Sequence, residues 1–165
     1  MDGFQRDLVA LLPRLRRMAR VITRHYADAD DLVQTAIERA FVSRAQWSPG
    51  TRLDSWMFRI MKNAWIDETR QRARRGRVMA EDDALDRVAD AGVADMDTRL
   101  AATAAERALA ALPEDQRLAV ALVLIEGLSY REAAEALDIP MGTLTSRLVR
   151  GRMALVEQLE GVDGE

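Results

Sequence analysis

The stretch Gly127–Leu155, GLSYREAAEALDIPMGTLTSRLVRGRMAL, holds two helical patterns around a very short turn, DIP. Ser129 and Glu132 form the S-x-x-E signature of a capping box, so a helix starts at Tyr130. Small residues Ala133 and Ala134 stand where that helix meets the next. At 100° per residue and centred on Leu144, residues Leu148, Gly151 and Leu155 fall within about 40° of one line, an inward stripe. Gly151 carries no side chain, so a neighbouring helix can come close there. Gly142, Thr145, Ser146, Val149, Arg150 and Met153 point the other way. A fixed turn between two such helices predicts a helix-turn-helix rather than an ordinary helical hairpin. The outward mixture of small, hydroxyl and cationic groups suits base edges and phosphates. Arg147 lies on the flank, about 60° from the buried line, and is expected to pair with an acid of a preceding helix.

Working outward, the chain has 165 residues, 5% aromatic content and no cysteine, with net charge −3. Abundant Ala, Leu and Arg with few aromatics favour helix over sheet. Without cysteine there is no disulfide framework or thiolate site. His25 is the single histidine and no metal-ligand spacing exists, so neither a catalytic site, a metal nor a cofactor is expected. No apolar run approaches the roughly 20 residues that span a bilayer, and the N-terminus lacks a signal-peptide layout. The expected setting is the cytoplasm, with no membrane insertion and no small-molecule substrate.

The charge is distributed unevenly. Residues 1–77 hold 16 Arg/Lys against 9 Asp/Glu, residues 78–100 hold 2 against 7, and residues 101–165 hold 6 against 11. This predicts an all-α protein of two small helical domains, 1–77 and 101–160, joined by a flexible acidic linker over 78–100. In the first domain, apolar spacing predicts a helix over Phe4–Arg24, kinked or restarted at Pro13. A second helix starts with Asp28 as N-cap and buries Val33, Ile37, Ala40 and Phe41. A third runs from Leu53 to about Arg74, ended by the arginine run and Gly76. In the second domain the pattern resumes near Leu100, and Pro113 opens a helix that Gly127 closes.

Two further stretches carry chemistry. In LDSWMFRIMKNAWIDETRQRARRGR, Arg59, Lys62, Asn63, Ile66 and Arg70 share one side. Cations, an amide and nearby aromatics meet the needs of single-stranded nucleic acid: phosphate neutralisation, hydrogen bonding and stacking. The WSPGTR loop before it could close over an extruded base, while Trp56 and Trp65 are expected to fill the core. In DADDLVQTAIERA, residues Asp28, Asp30, Asp31, Gln34 and Glu38 give an acidic face beyond what capping needs, a surface for a basic protein partner.

Together, DADDLVQ, WMFRIMKNAWIDETRQRARR and LSYREAAEALDIPMGTLTSRLVRGR resemble three motifs of the bacterial extracytoplasmic-function sigma factors, group 4 of the sigma-70 family. The likeness covers nearly the whole chain, the linker being its weak part. It implies a region 2 domain that binds core RNA polymerase and melts the −10 promoter element, and a region 4 domain that reads the −35 element. Under the resemblance, Asp30, Asp31, Leu32 and Gln34 bind polymerase. Phe58, Arg59, Lys62, Asn63 and Arg70 serve the −10 element, with Phe58 and Asn63 near a flipped base. Thr143, Thr145, Ser146, Val149 and Arg150 serve the −35 element. Thr145 stands where many members carry Lys or Arg, and Val149 offers apolar contact only. The implied partners are core polymerase, promoter DNA and an anti-sigma factor.

Overall fold

A computed structural model describes residues 1–78 and 103–163. Among them the secondary structure is helical throughout: α1 (Gly3–Thr23), α2 (Tyr26–Val42), α3 (Leu53–Val78), α4 (Ala104–Ala110), α5 (Glu114–Val120), α6 (Tyr130–Leu137) and α7 (Met141–Asp163). The expected linker lies outside the described residues, apart from Val78 at the end of α3. No helix among the described residues is long and apolar enough to cross a membrane.

Helices α1–α3 form a three-helix bundle. Asp2 caps α1 and exchanges bonds with Gln5 in a capping box. Pro13 does not start a fresh helix; it sits inside one continuous α1. The carbonyl that loses its donor is that of Val9, a half-exposed residue, where water can replace the missing bond. Helix α2 is capped by His25, whose Nδ1 accepts from the Asp28 backbone N–H. Asp28 is therefore not the cap. Its carboxylate accepts from Arg72 of α3 at 2.6 and 3.2 Å instead. The buried stripe of α2 is Ala29, Leu32, Val33, Ala36 and Ala40, and Phe41 faces outward. Three alanines on that stripe let α2 lie close against α1 and α3, which turns the helix away from the phase that would bury Phe41. The Phe41 ring still packs edge-on to Phe4, beside Trp47 and Trp56. Helix α3 continues past Gly76 to Val78, because Gly76 keeps an ordinary helical φ and its arginine neighbours are good helix formers.

In the second half, Thr103 and Glu106 build a capping box that starts α4 at Ala104. Helix α5 does not run regularly to Gly127. Its last turn, Ala121–Ile125, is π-helical, with the Glu126 N–H donating to the Ala121 carbonyl at 2.9 Å. This wider turn changes the phase of the residues after it. Leu124 and Ile125 face solvent, and Glu126 turns inward to 6% exposure. Gly127 then reverses the chain at φ 72°, and the Leu128 N–H closes on the Leu122 carbonyl.

The two halves share one continuous core, from Phe4 and Leu15 to Leu144 and Leu148. Helix α3 packs on α6, and α1 on α5. Within the second half, α5 presses on α7 at Gly151. A Cβ there would stand 2.6 Å from Val120 Cγ2 and 3.2 Å from the Gln116 carbonyl oxygen. Val120 is buried and the other obstacle is backbone, so neither yields cheaply. Gly151→Ala is expected to lower unfolding free energy by about 1–3 kcal/mol, read by chemical denaturation. An unchanged midpoint would show that α5 and α7 can part without cost.

Candidate nucleic-acid interface

The capping box at Ser129 fixes the start of α6, with Ser129 Oγ accepting from the Glu132 N–H and Glu132 Oε1 from the Ser129 N–H. Asp138 ends it in the left-handed region at φ 55°. Only Asp138, Ile139 and Pro140 separate α6 from α7, so the angle between the helices is held tightly. Helix α7 buries Leu144, Leu148 and Gly151, while Thr145, Ser146, Val149 and Arg150 are exposed and Thr143 is half-buried. The Thr145 hydroxyl donates back to the Met141 carbonyl at 2.9 Å. Arg150 and Arg152 make no ion pair among the described residues. Arg147 lies on the flank with its guanidinium 3.7 Å from Asp115 of α5.

On α3, Arg59, Asn63 and Arg70 are exposed along one side. Arg59, Arg70 and Arg74 form no ion pair among the described residues, in contrast to Arg72, which is held by Asp28 and Glu68. These hydrogen bonds raise the Arg72 pKa beyond its ordinary value and outweigh partial burial. Lys62 is half-buried and donates from Nζ to the Leu137 carbonyl at the end of α6. Burial lowers its pKa; Asp138 opposes that effect, and Arg147 and Arg59 add to it. Phe58 lies in the core at 2% exposure, with the Arg14 guanidinium 5.7 Å from its ring centre. In this arrangement it is a packing residue and is closed to a base. On α2, Asp30, Asp31 and Gln34 are exposed, whereas Leu32 is a core residue at 5% exposure. Trp56 packs against Phe4 and Trp47, and Trp65 lies under Arg72.

Each half of the chain matches a known family. Residues 8–75 match the Sigma-70 region 2 family and residues 102–155 the Sigma-70, region 4 family. Over 163 residues the chain is 33% identical to the ECF RNA polymerase sigma factor EcfG of Rhodopseudomonas palustris, covering 99% of this chain and 88% of that one. The chain belongs to the ECF RNA polymerase sigma factors. A second relative, SigE of Mycolicibacterium smegmatis, is 36% identical over 155 residues, covering 88% of this sigma factor but 57% of the relative. Among solved structures, the sigma factor RpoE of Bartonella quintana, crystallised with the anti-sigma factor NepR, superposes with a TM-score of 0.76 at 26% identity, covering 97% of this chain and 98% of that one. CnrH, solved with the cytosolic domain of CnrY, superposes at 0.61 and 26% identity, covering 96% and 91%.

Sequence reasoning missed a group of charged residues between the halves. Arg14 and Arg17 of α1 hold Glu126, Arg14 and Arg52 hold Asp54, and Arg52 also reaches Glu132 of α6. Arg117, buried on α5, donates to the Val21 carbonyl at 2.8 Å and the Leu112 carbonyl at 3.0 Å, and burial lowers its pKa to about 10. Periodicity does not reveal pairs about a hundred residues apart.

The flank and the outward face of α7 separate two roles. Arg150→Ala should leave the melting temperature unchanged and remove about 1–3 kcal/mol of discrimination at one base position if the side chain reads a guanine edge. Arg147→Ala breaks a half-exposed ion pair and should cost no more than about 1 kcal/mol of stability while leaving base preference intact. A promoter-library readout beside melting curves checks both. Relaxed base preference in Arg147→Ala would place the reading face one flank over.

Proposed function

We propose that this chain is a promoter-recognition subunit: it binds core RNA polymerase and directs initiation by reading a −35 and a −10 element. The observation that carries the reading is the pairing, in one chain, of a helix-turn-helix with an exposed α7 face and a second helix, α3, with three exposed arginines that form no ion pair among the described residues. Arg59, Lys62, Asn63 and Arg70 serve the −10 element. Thr143, Thr145, Ser146, Val149 and Arg150 serve the −35 element. Asp30, Asp31 and Gln34 meet polymerase, and Leu32 supports them from the core. The domain roles follow as 1–77 for polymerase and the −10 element, 78–100 as connector, and 101–160 for the −35 element. The protein works in the cytoplasm as a transcription factor rather than an enzyme. Because RpoE is solved with the anti-sigma factor NepR, we propose that an anti-sigma factor restrains this chain as well.

Lys62 has to leave the Leu137 carbonyl before it can reach a phosphate, so the promoter-engaged protein differs from the arrangement described here.

The deciding experiment is run-off transcription with core polymerase and a promoter library. Promoter-specific transcripts should require both components. Tight sequence-specific DNA binding by the protein alone, by anisotropy at physiological salt, would favour a free-standing repressor instead; the net charge of the second half predicts weak binding.

Two substitutions resolve the roles. Asp31→Arg should weaken core association with no change in melting, since His25 and not an acid of that face caps α2. Asn63→Ala should impair open-complex formation on duplex promoters far more than on templates already melted, because a lost base contact removes compensation for unstacking, which costs a few kcal/mol. Equal loss on both templates would make Asn63 structural.

A further inference from the structure

A buried cation ordinarily sits against a charge of opposite sign, because its lost hydration is otherwise not replaced. Arg14, Arg17, Arg52 and Arg72 each have a carboxylate partner. Arg117 departs from this pattern. It is 3% exposed and forms no ion pair among the described residues. Its Nε and Nη1 donate to the Val21 and Leu112 carbonyls, which orient the guanidinium but carry no countercharge. They also occupy only part of its donor fork. Among the described residues, Trp47 Nε1 is the one side-chain nitrogen or oxygen both sealed in protein and without a partner. The unused Nη2 of Arg117 is therefore not sealed. Arg117 lines a cavity of about 380 Å3, and its spare donors are open to that space.

A second guanidinium lines the same cavity. Arg24, at the end of α1, donates from Nη1 to the Ala110 carbonyl at 3.1 Å and also forms no ion pair among the described residues. After burial, the larger cause, the Arg24 charge lowers the Arg117 pKa further, and Glu114 opposes both. Tethers to backbone carbonyls thus hold two like charges at one cavity, with the exposed Glu114 as the acid in its lining. Ile22, Trp65 and Leu112 supply an apolar wall.

This lining has a specific chemical complement. Two guanidinium forks on separate elements can engage more oxygens than a carboxylate offers, and a phosphoryl group presents three. The volume leaves room for a ring or short chain beside it, where the apolar wall would take it out of water. We propose that the cavity lined by Arg24 and Arg117 binds a small phosphate monoester, its phosphoryl group held by the two guanidiniums and its apolar body against Trp65 and Leu112. None of the residues assigned to promoter DNA lines this cavity, so the ligand is an effector rather than part of the template. The site stands on its own lining and does not depend on the promoter reading.

The test titrates the full chain with phenyl phosphate by calorimetry. Phenyl phosphate should bind with one-to-one stoichiometry, and inorganic phosphate, which lacks the ring, about tenfold more weakly. Benzoate, with the same ring and a single carboxylate, should also bind about tenfold more weakly. Arg24 and Glu114 are exposed, so their variants should keep the wild-type circular dichroism and melting. Arg24→Gln should weaken phenyl phosphate by about tenfold or more. Glu114→Gln should strengthen it by about threefold, a gain that general damage to the fold would not produce. The double variant Arg59→Gln/Arg70→Gln should leave the affinity as it is. Absence of saturable one-to-one binding overturns the proposal. So does an affinity unchanged in folded Arg24→Gln, or one lost with Arg59 and Arg70, which would place the probe on the nucleic-acid face. Benzoate binding as tightly as phenyl phosphate overturns the assignment to a phosphate.

Discussion

Glu126 anchors the polar part of the contact between the two halves, beside the apolar core that they share. A carboxylate taken out of water costs several kcal/mol, and here three guanidinium N–H groups and two arginine charges offset it. Removing one partner from such a group is more damaging than never having built it, since the remaining charge stays buried without its bonds. Its position also determines what α1 can do: Arg14, committed to Glu126 and Asp54, lies over Phe58 and closes that side of α3. Asp54 shows the same balance. Burial alone would raise its pKa, but hydrogen bonds from Arg52 and Arg14 keep it below the usual carboxylate value.

This arrangement follows from the backbone immediately around Glu126. In a regular α-helix from Glu114 onward, the residues after Ala121 would keep the phase that buries Leu118 and Leu122. The π turn breaks that phase, exposes Leu124 and Ile125, and brings an acid to the side facing α1. Gly127 can then take φ 72°, which leads the chain directly into the cap of α6. The π turn and a single glycine therefore set both the Glu126 link to α1 and the start of the helix-turn-helix, within about ten residues. Gly151 supplies the matching constraint from the other side, since it lets α7 lie against α5 at a distance no side chain would allow.

The helices were largely legible in the sequence, because period and capping act locally. Ser129 with Glu132, Gly127 after α5 and the inward line Leu144–Leu148–Gly151 all follow from rules that span a few residues. The errors were local too, and each has a competing cause. Asp28 reads as a cap, yet His25 takes that place and Arg72 claims the carboxylate. Phe41 reads as core, yet three alanines rotate α2 so that close helix contact wins over burying one ring. Pro13 reads as a kink or a fresh start and Gly76 as a stop, yet α1 and α3 each run on through these residues. For the site, exposure of Arg59, Asn63, Ser146 and Arg150 accords with their helical phase. Leu32 and Phe58 were assigned by resemblance, and their apolar side chains were taken up by the core. The cluster joining α1 to Glu126 could not be read at all, because it pairs residues more than a hundred positions apart in sequence.

The uneven charge bears on that cluster. The first 77 residues carry an excess of cations and the last 65 an excess of acids, which by itself suggests one half for nucleic acid and one for other partners. The structure gives the asymmetry a second consequence: the halves are electrostatic complements of each other. Arg14, Arg17 and Arg52 face Glu126 and Glu132 across the contact, and even Lys62 is directed to the carbonyl end of a helix, where the dipole favours a cation. Phosphates compete for the same class of group as these acids. Of the cations assigned to DNA, Lys62 is held internally in this way, so duplex DNA must displace that one partner before it gains the full attraction of the basic half, while Arg59 and Arg70 form no ion pair among the described residues. An acidic second half then lowers stray binding twice, once by carrying little positive charge of its own and once by occupying the charge of its neighbour.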